Sequence, residues 1–537
     1  MKQNSNSLFL LGITLTATLG GLLFGYDTAV ISGAEGPLKS FFITPLLSDP
    51  DAATSVITIF KTVGVISFMI IYTILLTFIK KLYITPTKVL INSLILGAFL
   101  YALVYYLFLR HGSELNESLI NTIHGFNISS ALIGCIIGGS LGGYISQSIG
   151  RKKGLITAAV LFLVSAIGSA MPDKLNFLGT EVLGMFMIYR IIGGIGVGLA
   201  SMISPMYIAE IAPANIRGRL VSYNQFAIIF GMLVVYFVNY FIAKGQTQEW
   251  IDSVGWRWMF ASEVIPASLF MFFLFFVPET PRYLMYLDKD TQAMGILNKI
   301  VGPERSKTVF NEIRESLIEK NAPWLSFGKL IVIVGIFLSV FQQFVGINVV
   351  LYYAPAIFKS IGAKTDSALL QTIIVGAINL IFTVIAIMTV DKVGRKPLQI
   401  IGALGMMISM TGLGMVFYLQ IGGISALIFI LLYVASFAMS WGPITWVLLS
   451  EIFPNSIKGV MAIAVAAQWL ANLIVSTTFP MMNDSTWLTE KFHNGFAYWI
   501  YGIMSLLAAL FVWKFVPETK GKTLEEIEHF WKKKPVK

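Results

Sequence analysis

Glu210-Ile-Ala-Pro-Ala-Asn-Ile-Arg-Gly218 recurs 241 positions later as Glu451-Ile-Phe-Pro-Asn-Ser-Ile-Lys-Gly459. Two further motifs repeat with it. Gly150-Arg151-Lys152 returns as Gly394-Arg395-Lys396 after 244 positions, and Pro278-Glu-Thr-Pro-Arg282 returns as Pro517-Glu-Thr-Lys-Gly521 after 239. The order is the same and the offset nearly constant, so the chain is built from two parallel halves. Between them lies the one long polar stretch inside the chain, 278–323, with seven basic and seven acidic residues. It reads as short amphipathic helices, such as 305–320. Two parallel repeats around a polar linker are the plan of a rocking transporter with its substrate site between the halves.

The sequence around these motifs is apolar. Of 537 residues, 56% are hydrophobic and 12% charged, and the mean hydropathy is +0.77. Soluble domains carry about 25% charged residues, so a soluble globular protein, a disordered chain and a coiled coil are all excluded. Fourteen runs, from 8–32 to 495–515, reach the ~20 residues that a spanning helix needs. None alternates like a barrel strand, so the fold class is an all-α polytopic membrane protein. The first run carries Asp27 and lacks a small-residue cleavage site, which marks a retained span rather than a signal peptide.

The net charge of +10 is topogenic. The tight turns Gly150-Arg-Lys-Lys153 and Gly394-Arg-Lys396 belong in the cytoplasm, as do the linker and a tail holding Lys532-Lys-Lys534. Both termini are therefore expected inside. No basic stretch is interleaved with stacking aromatics, so nucleic acid is not an expected partner. A single Cys (Cys135) and four scattered His exclude a disulfide framework and a metal cluster. Gly193-Gly-Ile-Gly-Val-Gly198 lies within a span and follows no strand, so it reads as small-residue helix packing. Walker sequences and nucleophile–base sets are missing. The chain is not expected to be an enzyme, to be driven by ATP or to need a cofactor.

Polar residues inside apolar spans are then the informative ones. A carboxylate at mid-membrane costs about 2.5–3.5 kcal/mol on insertion scales. Asp27, with Arg190 and Glu263 also in or at the edge of spans, forms either a static buried ion pair or a proton relay in which protonating Asp27 frees Arg190. Buried amides are also costly unless hydrogen-bonded. Gln225, Gln342, Gln343, Asn348, Asn379 and Gln468 accompany Phe24, Tyr352, Trp446 and Trp469. Amides both donate and accept, and aromatics cover C–H faces, so this set suits a neutral, hydroxylated ligand; some of the amides are expected merely to join helix to helix. Gln342, Gln343 and Asn348 do not share one helical face, but a helix broken near Gly346 would aim all three at one cavity.

The repeated motifs are those of the sugar porters of the major facilitator superfamily. Four longer stretches resemble their D-xylose–proton branch: Gly20–Gly33, Tyr189–Ser201, Phe341–Pro355 and Ala464–Asn472. The likeness covers about 1–55 and 118–537. It implies the major facilitator fold, two pseudo-symmetric six-helix halves working by alternating access. It also implies a proton-coupled symporter in the inner membrane that imports a monosaccharide, D-xylose first, with D-glucose or another hexose as further candidates. Asp27, Arg190 and Glu263 would couple the proton. Gln225, Gln342, Gln343, Asn348, Trp446 and Gln468 would bind hydroxyls, and Phe24, Tyr352, Gly442 and Trp469 would line the cavity. Arg151, Glu210, Arg217 and Arg282, with Arg395, Glu451 and Lys458, would gather at the cytoplasmic helix ends as a gate, as topogenic charge, or as both. Passive facilitators of the family generally carry a neutral residue where Asp27 stands, which favours symport over the alternatives, a uniporter or a membrane sugar sensor.

Two departures stand out. The family's second Gln in the helix of Gln225 is replaced by Met232, which cannot hydrogen-bond a hydroxyl well, so either a water takes over, affinity falls or specificity broadens toward hexoses. The segment 56–117 adds two apolar runs, Val56–Ile79 and Val89–Leu109, around the basic turn Lys80–Lys88, with acidic residues on both flanks. It reads as an inserted transmembrane hairpin. The expected organisation is an N-terminal half (1–277) containing that hairpin, a linker (278–323), a C-terminal half (324–516) and a tail (517–537).

Overall fold

The computed structural model describes residues 7–522 apart from 84, 113, 214–215, 319–322, 422 and 454, and also 526–527 and 531. Fourteen helices in it are long and apolar enough to cross a membrane. They are α1 (Leu8–Leu47), α2 (Pro50–Leu82), α3 (Pro86–Leu109), α4 (Glu117–Ser148), α5 (Arg151–Ala170), α6 (Val182–Ile211), α7 (Arg217–Ala243), α8 (Gln248–Phe276), α9 (Lys329–Ser360), α10 (Thr365–Val393), α11 (Arg395–Tyr418), α12 (Ile424–Ile452), α13 (Met461–Asn483) and α14 (Phe496–Phe515). No strand occurs among the described residues. The linker forms three short helices, Pro281–Tyr286, Asp290–Val301 and Pro303–Ile318.

In the first half α1 packs along α7, and α6 along α4 and α5; in the second, α11 packs against α12 and α14, and α9 against α13. The halves meet where α4 lies along α13, α7 along α10 and α1 along α9. Glycine permits the tightest of these crossings. A Cβ on Gly25 would fall 1.8 Å from the Ile228 carbonyl oxygen, and one on Gly125 would fall 2.2 Å from that of Thr477.

Three breaks position the interior side chains. Gly346, at φ +94 in the left-handed region, separates Lys329–Phe344 from Ile347–Ser360 within α9. Proline lacks the N–H that would continue the ladder. Pro443 follows the break in α12 between Ala438 and Trp441, and Pro266 follows the turn at Ser262–Glu263 in α8.

Helices α2 and α3 form the hairpin expected for 56–117. At one end it sits on the first half, where Phe60 and Phe108 pack on Phe126 of α4 with ring centroids 5.5 and 4.9 Å apart. Lys61 caps that end by donating to the carbonyls of His111 and Gly112. Burial, with the charges of Arg110 and Lys61, pushes the His111 imidazole down to about 4, so it stays neutral at this junction. At the other end Phe78 packs on Ile463 and Ala466 of α13, and the Lys81 ammonium lies 5.6 Å from the Trp324 ring centroid. The hairpin thus leans from the first half onto the second. Its outer surface, including Leu90, Leu94, Ile95 and Phe99, is exposed and suits acyl chains.

Candidate functional site

A cavity of about 2410 Å³ runs between the halves. Arg217, Asp391 and Arg395 line it at the end of the bundle that carries the Gly-Arg-Lys turns, so it opens at that basic end. The far end is shut. Lys39 of α1 reaches Asp484 beyond α13 at 2.6 Å, Asn121 donates to the Asp484 carbonyl at 3.1 Å, and the backbone N–H of Thr486 donates to Glu117. Ser129 of α4 and Thr477 of α13 share a hydroxyl hydrogen bond at 2.6 Å.

Every amide and aromatic singled out in the sequence as a substrate contact lines this cavity: Gln225, Gln342, Gln343, Asn348, Asn379 and Gln468, together with Phe24, Tyr352, Gly442, Trp446 and Trp469. The break at Gly346 lets Gln342, Gln343 and Asn348 face the same space. Asn348 donates to Gln343 Oε1 at 2.5 Å. Gln342 donates to the carbonyl of Trp441, the first residue of the second segment of α12, at 2.9 Å, and its own Oε1 has no partner. Gln468 Oε1 and Trp469 Nε1 are likewise buried and unpartnered. Such orphaned polar atoms are what a hydroxylated ligand satisfies. Phe24 of α1 and Trp469 of α13 approach to 5.6 Å between centroids, putting an aromatic wall across the two halves. Met232 also lines the cavity. Asn472 and Asn224 were not singled out and line it too. Asn472 lies four residues after Gln468, the spacing of one helical face, and Asn224 is adjacent to Gln225. Both were readable signals.

The intramembrane charges form a second cluster that does not open into the cavity. Arg190 of α6 donates to Asp27 Oδ1 at 2.6 Å and to the Asp27 backbone carbonyl at 3.1 Å. Asp27 and Arg190 are 0% and 1% exposed, and the Phe260 ring flanks the guanidinium at 5.2 Å. Glu263, placed by the turn in α8, is fully buried, with its carboxyl against that of Asp27 and within electrostatic reach of Arg190. Tyr352 lines the cavity and feels the charges of Asp27 and Arg190, so it stands between the two clusters.

The repeated motifs assemble at the basic end as two copies of one arrangement. Arg151 grips Glu210 with Nε at 3.0 Å and Nη2 at 2.8 Å, and Arg395 grips Glu451 at 3.2 and 2.9 Å. Thr280 donates to Glu210 at 2.6 Å, and Thr519 to Glu451 at 2.5 Å. The Glu279 carboxylate accepts from the backbone N–H groups of Arg151 and Lys152, and Glu518 accepts from those of Arg395 and Lys396. Burial pushes the Glu279 carboxyl above its usual range, against these donors. The contacts just given stay within their own half, whereas Lys39–Asp484 at the far end is an ion pair that joins the halves. Arg217 is exposed and makes no ion pair among the described residues. Arg282 sits half-buried in the first linker helix, and the side chain of Lys458 lies outside the described residues. The roles of Glu279, Thr280, Glu518 and Thr519 were missed, although the repeated Pro-Glu-Thr contained them.

Residues 13–531 match the family described as "Sugar (and other) transporter". The D-xylose-proton symporter of Escherichia coli K12 is 54% identical to this chain over 545 aligned residues, covering 99% of this chain and 97% of that protein. The glucose facilitated diffusion protein of Zymomonas mobilis is 36% identical, with 99% of each chain covered. The inward open structure of the xylose transporter XylE from E. coli superposes with a TM-score of 0.77 at 52% identity, covering 97% of this chain and all of that one.

Proposed function

Because this chain belongs to the sugar transporter family, we propose that it is a proton-coupled sugar symporter importing D-xylose by alternating access, on the major facilitator fold. One observation carries the reading: a buried Asp27–Arg190 ion pair stands beside, but outside, a cavity that is lined by amides in its interior and by charged residues at its basic mouth. A neutral monosaccharide needs no charge to bind it, so these charges serve something other than sugar recognition.

In this mechanism the amides of Gln225, Gln342, Gln343, Asn348 and Gln468 hold hydroxyls while Trp446 and Trp469 cover the C–H face. A proton on Asp27 removes the negative partner of Arg190 and frees α1 and α6 to shift against each other. Glu263, close to both, takes part in sharing that proton. Tyr352 connects cavity and ion pair, so sugar occupancy and proton occupancy influence each other. The arginine–glutamate clusters hold each half rigid at its basic end, and the Lys39–Asp484 pair closes the far end in the present state. The basic end faces the cytoplasm of an inner membrane, so this state is inward-open. The hairpin turn then lies inside: in a Cys135→Ser background, Lys81→Cys should label only with reagent admitted to the cytoplasmic side.

Proteoliposomes test the reading. Adding xylose outside should alkalinise the external medium, glucose should do so less or not at all, and buffer should do nothing. Xylose entry without proton movement would establish a passive facilitator instead.

A further inference from the structure

A buried acid–base pair lies outside both the cavity and the Asp27 cluster. Glu35 of α1 and His124 of α4 approach to 2.6 Å between Oε1 and Nε2. His124 is 0% exposed and Glu35 8%. They are 89 residues apart in sequence, and the inserted hairpin separates them. Glu35 stands eight residues beyond Asp27, about 12 Å further along α1 at 1.5 Å per residue. The pair therefore sits between Asp27–Arg190 and the Lys39–Asp484 closure at the far end.

A carboxylate oxygen and a bare imidazole nitrogen both present lone pairs, so at this separation one proton must lie between them. The other ring nitrogen, Nδ1, is buried with no partner. Whichever atom owns the shared proton, Nδ1 stays available to gain or lose another. One helical turn deeper on α4, both amide atoms of Asn127 are also buried without partners. A static structural pair would leave neither group unsatisfied. An imidazole that holds one proton through Nε2 and offers Nδ1 has the form of a shuttle, and histidine is the side chain that exchanges protons between pH 5 and 8.

The charged and titratable groups near the pair are Lys39 and Asp27 on α1, four residues beyond and eight before Glu35, Tyr353 on α9, and Asp484, which is paired to Lys39. Tyr353 interacts electrostatically with both Glu35 and Asp484. Lys39 is four residues from Glu35 and is neutralised by Asp484, which belongs to the opposite half. Separating the halves at the far end would release that cation one turn from Glu35. The closure and the pair are thus electrically linked.

We propose that Glu35 and His124 form a second proton-binding site, in series with Asp27 and nearer the far face, through which protons reach or leave Asp27. This rests on the symport reading. No bond other than N–H and O–H is made or broken. A proton arrives at one ring nitrogen, another leaves from the other, and the count is conserved.

The test measures xylose-driven proton uptake in proteoliposomes at external pH 5.5 to 8, alongside xylose exchange, which needs no net proton movement. Glu35→Leu/His124→Leu removes both partners together and leaves no uncompensated buried charge. Glu35→Gln keeps the shape and a hydrogen bond to His124 but ends proton exchange through the carboxyl. Both variants should retain exchange. Their coupled uptake should match the wild type at pH 5.5 and fall about tenfold below it at pH 8, a shift of the rate profile by about one pH unit. Exchange intact with profiles superimposed on the wild type would overturn the proposal. Should the double variant lose exchange, the Glu35→Gln profile alone decides. A wild type that moves xylose without protons would instead overturn the symport reading itself.

Discussion

Arg151 grips Glu210 at 2.8 Å in the first half, and Arg395 grips Glu451 at 2.9 Å in the second; Thr280 and Thr519 complete the two copies alike. Away from this basic end the likeness stops. The interior of the first half holds Asp27, Arg190, Glu263, Glu35 and His124, all buried. The interior of the second holds Gln342, Gln343, Asn348, Asn379 and Gln468, and no ion pair occurs there among the described residues. The two copies keep the same contacts at the basic end, and on the proposed reading the chemistry is divided unevenly: the proton charges lie in the first half alone, whereas the sugar cavity lies between the halves, with Gln225 and Phe24 from the first and most of its amides from the second. The division makes physical sense. A charge in the amide cavity would bind water too strongly to release it to a neutral sugar, whereas a titrating carboxyl needs a dry setting in which gaining a proton changes its interactions strongly.

Breaking the first half should have the largest effect. Arg190→Leu leaves Asp27 and Glu263 as uncompensated buried acids and should lower stability by ~3–5 kcal/mol, seen as an earlier thermal transition in detergent. Asp27→Leu/Arg190→Leu should recover much of that stability without recovering uphill xylose accumulation. In the second half, Gln342→Ala or Gln468→Ala should weaken xylose binding about three- to tenfold, for ~0.5–1.5 kcal/mol per lost hydrogen bond. Equilibrium binding would show it, and the remaining uptake should stay proton-coupled. The smallest effect sharpens the comparison at its border. Met232 is a first-half residue that lines the cavity. Met232→Gln should tighten xylose binding by a few-fold, up to ~1 kcal/mol; no change in affinity would mean that the Met232 position does not touch the sugar.

Much of this arrangement of residues was legible in the sequence. The offsets between repeats, the fourteen apolar runs and the amides within them depend on local composition, which sequence displays directly. Asp27 and Arg190 were recognisable because a charge inside an apolar run is conspicuous on its own. Partnerships were harder. Glu35 and His124 are unremarkable until α1 and α4 are brought together across the hairpin, and the Glu279 carboxylate serves backbone N–H groups, which leave no mark in sequence. The hairpin was readable as two spans, but its lean from Phe126 to Ile463 depends on packing between distant helices. The open basic end is a property of how two rigid halves sit, and no single residue encodes it.

The division of labour is tested most directly by recording external pH and labelled xylose together in proteoliposomes of the wild type and Asp27→Asn. The wild type should take up protons with xylose. The variant should exchange xylose at a comparable rate with no pH change, since its cavity amides are untouched. An equal pH change per xylose in both, or exchange lost in step with the pH signal, would contradict the assignment of proton and sugar to separate sites.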